Sequence, residues 1–406
     1  VNLEKIINII DKLVKNTNHN GAIFIATKEK NIYKKCFGFA DISKKIPISF
    51  KTQFLAGSVT KQFAAVAILK ALWDKNKNDI KTELNKTVAY YLPEKSEIWN
   101  DSMPDWAKKI TVHQLLVHSS GIPNYTSLPE FENKTFPKNS DIINFFKGHE
   151  LEFTPGEKFS YSNSGYYLLG IIIEAITQQT LDVYFEKTFF KPLEMLSTFL
   201  PSQGTVDELI QEDARFLNLA RGYQYEVATP NAHLEEVKRY ERMEVPGAAG
   251  SLITTTEDLL KWNNALYDGE IIPHTVLELM LYPYLMTERT DAYYGYGIEV
   301  MRSENLGTYY SHRGGIPGFR SILTYIPSLQ LSIIILQNLG GNQEKLMPEV
   351  EEILKKLPSH LSKEEIAKQL TEIIEEKYPS IIENRKQFEF AAIYEDIIKE
   401  LEVVLK

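Results

Sequence analysis

FLAGSVTKQFAAVAILKAL, the stretch from Phe54 to Leu72, reads as a buried helix after Gly57. Apolar residues fall at Phe63, Val66, Ala67, Leu69 and Leu72 on spacings of three and four, and alanines fill the other faces. Polar residues are exceptions in such a run. Ser58 and Lys61 stand one helical turn apart at its start, a spacing that puts both side chains on one face within reach of each other. The pair is a nucleophile beside a candidate base. A hydroxyl is a weak nucleophile until its proton is taken, and a lysine takes it only if desolvation and nearby positive charge, here including the helix N-terminus, lower its pKa. The plainer reading is a capping serine and a solvated lysine, and an isolated SxxK is structural far more often than not. Against it, this is the one SxxK in the chain, and its helix is too apolar for a surface position.

On the N-terminal side, LEKIINIIDKLVK (residues 3–15) repeats apolar positions on a helical period. GAIFIAT (Gly21 to Thr27) and IYKKCFGFAD (Ile32 to Asp41) follow as an antiparallel hairpin around the charged turn KEKN, with Cys36 a small core residue. On the C-terminal side a region with few strand patterns runs to about residue 245 and reads as largely helical. Within it Thr111 caps a short helix that ends near Gly121, and His113 and His118 lie five residues apart on different helix faces, without a third metal ligand. Farther on, FTPGEKFSYSNSGYYLLGIIIEAI (Phe153 to Ile176) places Tyr161 and Asn163 on a short polar loop between a ProGly turn and a buried helix. Such a loop either carries chemistry or is a turn stabilised by its own Asn and Ser side chains.

From Pro246 a glycine turn leads to a helix capped near Thr256, and then strands return as YGYGIEVM, GTYYSH, FRSILTYIP and LQLSIIILQN, the last apolar enough for a central strand. Strands at both ends thus bracket a helical middle. The expected class is α+β, one antiparallel sheet flanked by helices with a mostly helical region inserted. The sheet part would take about residues 1–85 and 245–358, and the insert about 86–244. Between two of the strands lies HRGGIPGF (His312 to Phe319), whose Gly314 and Gly315 allow either close backbone approach to a ligand or a bulge.

SVTK at 58–61, YSN at 161–163 and HRGG at 312–315 occur together in the order of a known family. On these segments, and on ITVHQLLVHSSGIP, KPLEM (191–195), PGAAGSLITTTEDL and SHRGGIPGF, the chain resembles the serine β-lactamase and penicillin-binding-protein superfamily over about residues 20–341. The likeness is greatest to the branch of class C β-lactamases, D-Ala-D-Ala carboxypeptidases and esterases. The resemblance implies a serine hydrolase without cofactor or metal. In it Ser58 is acylated, Lys61 is its hydrogen-bonded partner, Tyr161 is the general acid or base and Asn163 binds Lys61 and the substrate amide. His312 stands where β-lactamases carry lysine, and the backbone N–H groups of Ser58 and Gly315 form the oxyanion hole. A cationic His312 beside Tyr161 would make activity fall as pH rises through an imidazole pKa near 6.5. Arg313 and Gly315 replace the hydroxyl residues that hold a substrate carboxylate in the family. Strand alternation places Arg313 on the face opposite His312 unless a bulge intervenes. Efficient β-lactam hydrolysis is therefore less expected than action on a small ester, amide or D-amino-acid peptide, and the alternatives are a slow penicillin-binding sensor and a non-catalytic scaffold.

The composition agrees with an enzyme of small molecules or short peptides. The 406 residues carry Lys+Arg 45 against Asp+Glu 54, a net charge of -9 with no basic block, so nucleic acid is excluded as a partner. One cysteine excludes an internal disulfide, and the longest apolar runs stop well short of the ~18 residues that span a bilayer. The chain starts at Val1 without a leader, as after removal of a signal peptide or at a chosen boundary, and a periplasmic or secreted location is favoured over a cytoplasmic one. Residues 1–358 would form the hydrolase domain, closed by a helix from NQEKLMPEVEEILKKL. Residues 359–406 would form an extension of two amphipathic helices parted by Pro379, the first opened by a Ser362–Glu365 capping box, packing on the body or on a second copy.

Overall fold

The structure is a computed structural model that describes residues 7, 8, 10, 11, 19–100, 102–132, 139–201, 204–226, 233–237, 245–289, 291–341 and 390–405. Strands from both ends of the chain build one sheet: β1 (Gly21–Thr27), β2 (Asn31–Phe37), β3 (Leu285–Met286), β4 (Ala292–Tyr294), β5 (Glu299–Ser303), β6 (Gly307–Ile316), β7 (Phe319–Ile326) and β8 (Leu331–Gln337). These eight strands are antiparallel in the order β2-β1-β8-β7-β6-β5-β4-β3, and pairing from Gly21–Gln337 to Thr27–Leu331 joins the chain's two ends. Alternation along β1 sends Ala22, Phe24 and Ala26 to the inner face and Ile23 and Ile25 to the outer one. β8 is covered on both faces, which is why its sequence is almost continuous Leu and Ile.

On the inner side lie α1 (Thr60–Lys75), α2 (Asn163–Thr177) and α3 (Thr256–Tyr267), with α2 packed on α1, and α3 lying over β1 and β8. α1 is enclosed nearly all round, as its alanine-filled faces require; Trp262 of α3 stacks on Phe63 at 3.7 Å and donates to Gln62 Oε1 at 2.6 Å. The outer face is covered by α4 (Phe390–Leu405), whose Ile393, Tyr394, Ile397, Ile398 and Leu401 recur on helical spacing and pack on Ile23, Ile322 and Ile333. The second amphipathic pattern of the C-terminal extension therefore covers the chain's own sheet. No helix among the described residues is long and apolar enough to cross a membrane.

Several local readings change. The second hairpin strand stops at Gly38, where φ is +75°, and Phe39–Asp41 leaves to pair with Ile46–Pro47. The middle region is not wholly helical: Tyr223–Glu226 pairs antiparallel with His233–Glu236 and parallel with Leu339–Gly341. Those strands, like the edge strands β3 and β4, are too short to show a period. Thr111 caps its helix through a capping box with Gln114, whereas α3 is capped by Thr255 rather than Thr256. Most of the N-terminal amphipathic segment, the helix read over 342–357 and the Ser362–Glu365 box lie outside the described residues.

Candidate active site

Ser58 sits in a single 3-10 turn, Gly57–Val59, that feeds α1, and no side-chain capping bond is made there. The capping reading of Ser58 thus fails. From Thr52 to Leu69 every residue is buried except Ser58, so the one opening in this segment falls on the hydroxyl. Lys61, one turn on and 0% exposed, directs Nζ at three oxygens: Ser58 Oγ at 3.2 Å, Asn163 Oδ1 at 2.7 Å and the Ala249 carbonyl at 2.8 Å. Two of these only accept, whereas a hydroxyl can also donate. A neutral amine with two N–H bonds to Asn163 and Ala249 would keep its lone pair for the Ser58 proton. Burial holds the Lys61 pKa well below the ordinary lysine value, even with the rings of Tyr161 and Tyr166 at 4.9 and 5.5 Å.

Tyr161 lies on the loop before α2, and its phenol hydrogen-bonds Ser58; burial pushes its pKa up and the Ser58 bond only partly offsets this. The two titratable groups beside Ser58 are therefore driven apart, toward a neutral lysine and a protonated phenol. Asn163 is the first residue of α2. Its N–H donates to Asn124 Oδ1 at 3.1 Å and its Nδ2 to Thr126 Oγ1 at 3.1 Å, which leaves Oδ1 for Lys61.

The third segment approaches from β6. Strand alternation turns His312 and Gly314 inward and Arg313 outward, with no bulge in the pairing of β6 with β7. A side chain at Gly314 would place Cβ 2.0 Å from the Ala56 carbonyl, and one at Gly57, where φ is +51°, would place it 2.8 Å from the Gly315 nitrogen. Glycine at both positions lets the catalytic strand lie directly against the Ser58 turn. Arg313 runs to the far face, where Nη2 meets Glu395 Oε1 at 3.4 Å and the guanidinium lies over Tyr394 at 5.6 Å. It cannot serve the substrate carboxylate.

His312 departs from expectation. Its Nδ1 donates to the Arg313 carbonyl at 2.7 Å, which can only accept, so Nε2 is left to accept from the Tyr294 hydroxyl at 2.9 Å. Burial, the largest cause, pushes its pKa down to about 3. The imidazole is neutral across the working range, and the expected cation beside Tyr161 is absent. Tyr294 also lies beside Tyr166, whose hydroxyl donates to the Leu116 carbonyl at 2.8 Å, so His312 is held in a buried row of aromatic groups.

Reading the sequence missed Tyr294, Asn124, Thr126 and the Ala249 carbonyl, and it weighed His118 only as a metal ligand. Only the PGAAG turn that carries Ala249 was marked by an unusual pattern. His113, by contrast, bonds Tyr296 through Nδ1 at 2.8 Å.

A family model described as Beta-lactamase matches residues 6–354. The chain belongs to the beta-lactamase family. It is a serine hydrolase of the penicillin-binding-protein and β-lactamase type, similar to penicillin-binding protein 4* of Bacillus subtilis (strain 168) at 26% identity over 79% of this chain and 68% of that protein. The chain spans about two thirds of the length of the curated relatives it matches. Among solved structures, D-amino acid amidase from Ochrobactrum anthropi SV3 superposes with a TM-score of 0.67 at 25% identity, over 84% of this chain and 93% of that one. The octameric penicillin-binding protein homologue from Pyrococcus abyssi gives 0.68 at 25% identity, over 83% and 74%.

Proposed function

We propose that the protein hydrolyses small esters or amides, D-amino-acid derivatives among them, through an acyl-enzyme on Ser58. The observation that carries this reading is the buried Lys61 amine, 3.2 Å from Ser58 Oγ and bonded otherwise, among the described residues, only to neutral oxygens. In acylation Ser58 Oγ attacks the substrate carbonyl carbon and Lys61 Nζ takes the hydroxyl proton. The oxyanion is met by the N–H groups of Ser58 and Gly315, each donor worth about 3 kcal/mol in sites of this kind. Tyr161 gives its proton to the leaving nitrogen or oxygen as the old bond breaks, and Lys61 restores it. Water then attacks the acyl carbon and its proton goes to Lys61, and the C–Oγ bond breaks as Ser58 Oγ takes the Tyr161 proton, which Lys61 then replaces.

Neutral acyl donors suit the site because His312 is uncharged and Arg313 faces away. The similarity to a D-amino acid amidase supports the same substrate class. Any self-association through the C-terminal extension would use parts other than the buried side of α4, such as the side bearing the exposed Val403.

A substrate panel tests the reading: D-phenylalanine amide and p-nitrophenyl butyrate should be turned over, D-Ala-D-Ala and a chromogenic cephalosporin much more slowly. A stable penicilloyl adduct with no turnover of any ester or amide would favour a penicillin-binding sensor instead.

A further inference from the structure

His118 is used by none of the steps above, yet it encloses Tyr161. Its carbonyl accepts from the Ser160 N–H at 2.8 Å and its ring Nδ1 from the Ser162 N–H at 3.1 Å, so the residues on either side of Tyr161 are both tied to this one histidine. The imidazole lies against the Tyr161 ring with centroids 4.3 Å apart and planes 34° apart, and Phe159 closes its edge at 5.7 Å. The residue is 1% exposed and has φ +57°, a left-handed conformation that a side chain adopts only when its surroundings hold it there. A backbone N–H can only donate, so Nδ1 is the acceptor and the proton sits on Nε2, which has no hydrogen-bond partner among the described residues.

We infer that His118 is the positioning residue for Tyr161, holding the phenol against Ser58 through two hydrogen bonds to the flanking backbone and a ring contact. The inference rests on the reading of Tyr161 as the proton donor. The fixed geometry matters because the tyrosine loop is otherwise a run of short polar residues, SYSNS, and a displacement of about 1 Å at a reacting group costs about 100-fold in rate. Burial keeps the imidazole pKa well below its usual value, so the acceptor role of Nδ1 persists at neutral pH.

The test is steady-state turnover of p-nitrophenyl butyrate by the full chain. With so activated an ester, acylation should outrun deacylation, so turnover reads the step in which Ser58 Oγ must itself recover a proton. His118→Ala should lower kcat about 100-fold with KM falling in parallel, because deacylation sets kcat for this ester while kcat/KM reports acylation. His118→Asn should recover kcat to within about tenfold of wild type, because Asn Oδ1 can accept from the Ser162 N–H and asparagine tolerates the left-handed backbone. In a Tyr161→Phe background His118→Ala should add almost no further loss, since a positioning residue has nothing left to position. His118→Asn is the arm to read if His118→Ala does not fold. A wild-type kcat in folded His118→Ala, an equal further loss in the Tyr161→Phe background, or a His118→Asn enzyme folded but as slow as Tyr161→Phe would each overturn the inference while leaving the role of Tyr161 intact. Full activity in Tyr161→Phe would instead remove that role, and the inference with it.

Discussion

Gly57→Ala adds one methyl group to the turn before the nucleophile, and the structure fixes where it goes. The new Cβ would lie 2.8 Å from the Gly315 nitrogen and 3.0 Å from the Gly315 carbonyl carbon and oxygen, whereas ordinary contact begins at 3.4 Å. All three atoms are backbone, so no side chain can swing aside, and the gap between the Ser58 turn and β6 must open by 0.6 Å, the difference 3.4 − 2.8. A 1 Å misplacement costs about 100-fold, so an opening of this size should cost kcat/KM on the order of 10- to 30-fold. The left-handed backbone, at φ +51°, adds about 1–2 kcal/mol of destabilisation once a Cβ is present. Gly307→Ala is the control: φ is +74° there and nothing lies within 4 Å of the added Cβ, so it meets the strain without the clash. Urea melts should show a stability loss in both variants, and only Gly57→Ala should lose kcat/KM. Wild-type kcat/KM in a folded Gly57→Ala enzyme would refute the claim that Ser58 and Gly315 meet at the oxyanion.

Lys61→Arg should abolish turnover, because a guanidinium is not deprotonated in proteins; in the wild type kcat/KM should rise with pH along a limb set by the depressed Lys61 pKa, which a pH–rate profile reads directly. His312→Gln should leave that profile unchanged between about pH 5 and 9, the range in which a titrating imidazole would show itself. Its effect should appear in stability. Below the unfolded value of 6.5 the unfolded chain takes up a proton that folded His312 refuses until about pH 3, so wild-type stability is complete above 6.5 and falls through that window, and urea midpoints of His312→Gln should fall less steeply there. Arg313→Ala should not change KM for substrates with or without a free carboxylate, since its guanidinium lies on the far side of the sheet; the exposed contact with Glu395 is worth less than about 1 kcal/mol in a denaturation experiment on Glu395→Ala.

The parts of the site that follow from short-range periodicity were readable from the chain. Ser58 and Lys61 are bound together by the three-residue spacing of a helix, and Arg313 is separated from His312 by the two-residue period of a strand. The sheet was readable for the same reason in β1, β2 and β5 to β8, where runs are long enough to alternate. The meeting of segments about 100 and 250 residues beyond Ser58 is a matter of packing, and only the family resemblance brought Tyr161, Asn163 and His312 to one place. The protonation of His312 was misread because it depends on Tyr294 and on burial, neither of which a motif records. His118 was weighed only as a metal ligand, since its contacts with Ser160 and Ser162 join two loops that no local period connects.

The central claim is a covalent acyl-enzyme on Ser58 with Lys61 as the base, and the most direct measurement is intact-protein mass spectrometry of enzyme quenched in acid during turnover of p-nitrophenyl butyrate, followed by peptide mapping. A single butyryl adduct on the peptide that carries Ser58, absent in Ser58→Ala, decaying once substrate is exhausted and greatly reduced in Lys61→Arg, is the predicted result. Turnover that persists in Ser58→Ala, or an adduct mapped to Ser119, Ser162 or any residue other than Ser58, would contradict it.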